Sequence, residues 1–101
     1  MSESLLFLQY KLKSVEETIL KLKAELEELK SASKLLEETK PKSAYKVFAS
    51  KVMIELDPAK LKEFIESEIE SLEMKIKALE KEREELLKEI KSLREGLGVG
   101  P

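Results

Sequence analysis

The chain has 101 residues, with 19 Lys and Arg against 21 Asp and Glu, a net charge of −2, and 40% charged residues. That much charge must clothe long exposed faces, and 5% aromatics with no Trp argue against a compact core built on large rings. The absence of Cys and His excludes disulfides, thiolate chemistry, the usual zinc ligand sets and Ser-His nucleophiles, and the balanced charge gives no broad basic field for nucleic acid.

The first expected element is a helix that starts near Ser2 or Ser4, either of which caps a helix well, and stops by Lys40. Pro41 disfavours helical geometry in the residue before it. Such a helix has about 36 residues and is roughly 54 Å long. Leu5, Leu8, Leu12, Val15, Ile19, Leu22, Leu26, Leu29 and Leu36 recur at steps of three and four, the sequence form of a coiled-coil seam. Ser33 holds a seam position as a small packing residue. The remaining face alternates Glu and Lys, with pairs such as Glu17–Lys21 worth a few tenths of a kcal/mol, and reads as a solvated surface.

Residues 41–57 are expected to form a β-hairpin connection. In the second strand, Val52, Ile54 and Leu56 alternate with Lys51, Met53 and Glu55; in the first, Tyr45 and Val47 alternate with Lys46 and Phe48. The turn falls near Ala49 and Ser50 and lacks the Gly or Asn of a strong hairpin signal. A lone two-stranded hairpin is marginal in water, so Tyr45, Val47, Phe48, Val52, Ile54 and Leu56 are expected to pair with strands of other subunits.

Asp57-Pro58 opens a second helix, with Asp as cap and Pro preorganised for the first helical position. Its seam is Ile65, Ile69, Leu72, Ile76, Leu79, Leu86, Ile90, Leu93 and Leu97, over residues 58–95, followed by a flexible Gly-rich tail over 96–101. Matched lengths and a short connection predict an antiparallel two-helix hairpin within a single domain, mainly α. Arg83 stands where Ile or Leu belongs; it is either a polar device that fixes register or a side chain whose stem lies on the seam while its head reaches water.

Apolar residues crowd the free end. Leu5, Leu6, Phe7, Leu8 and Tyr10 begin the first helix, and Leu93, Leu97 and Val99 end the second. Leu6, Phe7 and Tyr10 are off the two-position seam. Contiguous exposed apolar surface marks binding sites, and the simpler alternative is that these residues close off the coiled coil. Carboxylate pairs such as Glu84–Glu85 sit on exposed helix, where nothing tunes them for acid–base work, so no catalytic residue, metal or cofactor is expected. No apolar run approaches the roughly 20 residues of a membrane span, and Met1-Ser2-Glu3-Ser4 lacks the basic start of a secretory signal, so the expected location is the cytosol.

The run Tyr45-Lys46-Val47-Phe48, the β-type stretch to Leu56 and then Asp57 resembles the connecting segment of prefoldin β subunits, of the archaeal kind. Leu72-Glu73-Met74-Lys75-Ile76-Lys77-Ala78-Leu79-Glu80-Lys81 resembles the second-helix signature that follows it. The Tyr-Lys start is the more specific part, since any coiled coil has heptads. The chain departs from the family at Ala49, where Gly is usual, at Glu82, where Gln is frequent, and in a strand run one residue longer. One hairpin is similar to the β class; the α class has two.

The resemblance implies an ATP-independent holdase subunit. Hairpins from six subunits would form β-barrels, and coiled-coil tips would capture unfolded protein and pass it to a group II chaperonin. The implied partners are an α-type subunit, further copies of this chain, unfolded clients and the chaperonin, with no nucleic acid and no membrane. A scaffolding coiled coil without clients is the alternative. A tRNA-binding arm fits poorly with the missing basic stripe.

Overall fold

The computed structural model describes residues 3–96. Their order is α1 (Glu3–Thr39), β1 (Ala44–Phe48), β2 (Val52–Leu56) and α2 (Pro58–Gly96). Two long helices are therefore joined by one antiparallel two-stranded sheet. The chain divides into two compact units, Met1–Lys23 with Met74–Pro101 and Ala24–Glu73, and each helix contributes to both. Gly96, expected to begin the tail, is instead the last residue of α2, and Leu97, Val99 and the remainder of the expected tail lie outside the described residues.

In the first unit the three-four spacing becomes a physical stripe. Leu5, Val15, Ile19, Ile76, Leu86 and Ile90 are buried. Val15, Ile19 and Leu86 form a continuous cluster, against which Leu8, Leu12 and Leu79 pack. The start of α1 thus meets the end of α2, and Lys23 Nζ closes on Glu80 Oε2 at 3.4 Å along the flank. Arg83 is half-buried between Leu79 and Leu86 in the sequence of seam positions and has no ion-pair partner among the described residues.

In the second unit Leu26, Ile65 and Leu72 are buried, with Leu29, Ser33, Leu36, Leu61 and Ile69 half-buried. α1 ends where local chemistry stops it. Lys40 takes a positive φ of 45° and its N–H donates to the Leu36 carbonyl at 3.2 Å, and Pro41 then blocks continuation. α2 starts on a side-chain cap: Ala59 N–H donates to Asp57 Oδ1 at 2.9 Å, which satisfies one of the free donors of the first turn.

The strands pair with Ala44 opposite Leu56 and Phe48 opposite Val52. Lys51 N–H donates to the Phe48 carbonyl at 3.1 Å, and the two residues between them, Ala49 and Ser50, have φ of 52° and 58°. Positive φ at both central residues is the primed-turn form that suits strand twist. It costs a residue with a Cβ about 1 kcal/mol or more.

Two expectations follow. Ala49→Gly removes the Cβ clash at a left-handed position but frees the unfolded chain, for a net gain of about 0.5 kcal/mol; Ala49→Val loses about 1 kcal/mol or more. Urea unfolding of the three proteins checks the order Gly, Ala, Val. Arg83→Leu adds apolar burial to the seam and stabilises the coiled coil by about 1 kcal/mol with one association state retained. Mixed states in native mass spectrometry of that variant show instead that the arginine sets register.

Candidate functional site

Exposed apolar side chains of the first unit gather where α1 begins. A two-helix seam buries one stripe per helix, and the off-stripe residues are left outside. Leu5 is on the stripe and only 1% exposed, so it closes the seam and offers no surface of its own. Leu8 and Leu93, also expected at the binding surface, are half-buried. Leu6, Phe7 and Tyr10 are off the stripe and 48%, 65% and 69% exposed. Phe7 and Leu8 line a shallow open groove with Ser4 on α1 and with Glu89, Ser92, Leu93 and Gly96 on α2. The candidate tip therefore has a half-buried leucine floor, Leu8 and Leu93, and an aromatic wall, Phe7.

The sheet is the second candidate surface. Register and two-residue alternation put Ala44, Lys46, Phe48, Val52, Ile54 and Leu56 on one face and Tyr45, Val47, Met53 and Glu55 on the other. Tyr45, Val47, Phe48, Val52, Met53 and Ile54 are all exposed, whereas Leu56 is half-buried. The six residues expected to pair with other subunits thus divide between two faces. Met53 joins Tyr45 and Val47, a residue that the alternation of β2 and the register together point to.

Electrostatics in the second unit centre on two lysines. Lys62 stands at a seam position and pairs with Glu37 across from α1 and, at 3.9 Å, with Glu66 one turn along α2. The hydrogen bond and charge of Lys62 hold the Glu37 carboxyl below the usual carboxylate range. The same bond and charge hold Lys62 above the usual lysine range. The pair's contribution is therefore present across neutral pH. It fades as pH falls through the lowered Glu37 value, or as pH rises through the raised Lys62 value.

The sequence marked Lys46 only as part of the Tyr45-Lys46 start of the family resemblance and gave it no contact of its own. Its Nζ lies 3.4 Å from Glu68 Oε1, 5.0 Å from the Phe48 ring centre and 5.6 Å from that of Phe64.

Among the described residues no charged or polar side chain is buried, and no three metal-ligating side chains cluster. No helix among them is long and apolar enough to cross a membrane. What the two surfaces offer is apolar contact.

A search of curated proteins finds no match to this chain. A family model described as prefoldin subunit matches residues 1–98, which takes in both helices, the hairpin and both candidate surfaces. With two long helices joined by a short β-hairpin over that matched length, the chain belongs to the prefoldin subunit family, a family of chaperone subunits that assemble with one another.

Proposed function

We propose that this chain is a β-type prefoldin subunit that works in the cytosol as an ATP-independent holdase. It captures unfolded proteins at the end where α1 begins and α2 closes, and passes them to a group II chaperonin. The observation that carries the reading is the exposed group Leu6, Phe7 and Tyr10 beside the groove floored by Leu8 and Leu93. Unfolded chains present short apolar segments without fixed shape. An open apolar surface accepts many such segments weakly, and several subunits acting together hold a client without a deep pocket.

The sheet serves assembly in this reading. Its open strand edges and its exposed apolar side chains, Tyr45, Val47 and Met53 together on one face, suit pairing with hairpins of an α-type subunit and of further copies. The single hairpin supports the β class.

Leu6→Ser, Phe7→Ser and Tyr10→Ser together change exposed positions and leave the buried Leu5 in place. The triple variant is expected to keep the oligomeric mass of the wild type and to lose most of its suppression of aggregation of a chemically unfolded client, with no nucleotide present. Unchanged suppression removes these residues from the binding surface. Absence of suppression by the wild type favours the scaffolding alternative.

Val47→Lys charges an exposed strand position without disturbing the seam. It is expected to reduce the assembly to smaller species in native mass spectrometry while helix content by circular dichroism stays the same. A variant with wild-type mass contradicts an assembly role for this face.

A further inference from the structure

Among the described residues the one ion pair that joins a strand to a helix is Lys46–Glu68. Lys46 is also the most sheltered partner in any of their ion pairs, its side chain only 22% exposed. Three groups converge on its ammonium. Phe48, two residues along β1, and Phe64 on α2 present their rings at 5.0 and 5.6 Å, and the Glu68 carboxylate lies at 3.4 Å. Phe64 and Glu68 are four residues apart on α2 and therefore neighbours on one helix face. Aromatic faces and a carboxylate attract a cation together, and shelter from water strengthens both attractions.

The consequence is directional. Lys46 belongs to the sheet face that also holds Phe48 and Ile54, and its ammonium reaches α2, so this face is the one turned toward the helix at that point. Tyr45, Val47 and Met53 lie on the opposite face. A two-stranded hairpin has few contacts of its own to settle its direction. A hairpin that swings loses that freedom on assembly, and one already fixed does not.

We infer that Lys46 is a positioning residue: its ammonium, caged by Phe48, Phe64 and Glu68, latches the hairpin to α2 and so fixes the Tyr45–Val47–Met53 face as the one offered to partner subunits. The second half of this statement rests on the assembly reading above; the latch itself does not.

The test compares wild type with Lys46→Met, which keeps an apolar stem and removes the charge, and Lys46→Arg, which keeps a cation able to stack on the rings. Hydrogen exchange of the full chain reads the latch in the hairpin amides. Lys46→Met is expected to speed exchange over residues 44–56 about tenfold, with the helices unchanged, and Lys46→Arg to stay near the wild-type rate. In NMR spectra the Lys46 ε-methylene protons are expected upfield under the two rings, and to return toward the free-lysine position in Phe64→Leu. Native mass spectrometry is expected to show weaker assembly for Lys46→Met and restored assembly for Lys46→Arg. Wild-type exchange in Lys46→Met, Lys46→Arg behaving like Lys46→Met, or an ε-methylene signal at the free position in the wild type each overturns the latch. A normal latch in a chain that forms no oligomer overturns the assembly reading and the presentation claim, and leaves the latch standing.

Discussion

A pair of helices can bury only one stripe on each partner, and the rest of this structure depends on that limit. Full burial of a large aliphatic side chain contributes about 1.5–3 kcal/mol, so the seam is filled wherever the three-four spacing allows. Leu5, Val15, Ile19, Leu86 and Ile90 are inside for this reason. The same limit leaves Leu6, Phe7 and Tyr10 outside, because no third helix among the described residues covers them. Where a globular protein would have folded such residues inward, this one displays them. The chaperone reading is the functional form of that excess.

The connection between the helices obeys a related limit. Two strands cannot enclose a core, so both faces of the sheet keep apolar side chains in the open. What the hairpin has in place of a core is a set of local devices. Asp57 caps the helix that follows, a left-handed Lys40 ends the one before, and a primed turn at Ala49 and Ser50 matches the twist of the strands. Lys46 then ties the strands to α2. Each device is small, and together they give a surface that is apolar yet held in one direction.

Much of the fold was legible from spacing alone. The seam positions are local in sequence, and a period of 3.5 needs no knowledge of the partner helix. The helix boundaries were legible too, since Pro41 and Asp57-Pro58 act within one turn of themselves. The site was less so. Leu5 and Leu6 are adjacent and chemically alike, yet only the phase of the stripe decides that one is buried and the other exposed. The Lys46 cage was hidden because it joins residues 18 and 22 positions apart, and no local pattern announces such a meeting. Arg83 is half-buried on the stripe as its position suggested, and the register question attached to it is one of association, which a single chain does not express.

The central claim is that the start of α1 binds non-native protein through its place in the fold, and that mere apolar exposure elsewhere does not. Phe7 and Met74 provide the comparison, being 65% and 68% exposed, with Phe7 in the groove at the helix ends and Met74 on α2 beside Lys77, Ala78, Glu80, Lys81 and Glu84. A photo-crosslinking amino acid placed at each position in turn, in the intact assembly with a chemically unfolded client, measures the difference directly. The account predicts strong crosslinking to the client from position 7 and little from position 74. Equal crosslinking from both, or stronger crosslinking from position 74, contradicts it.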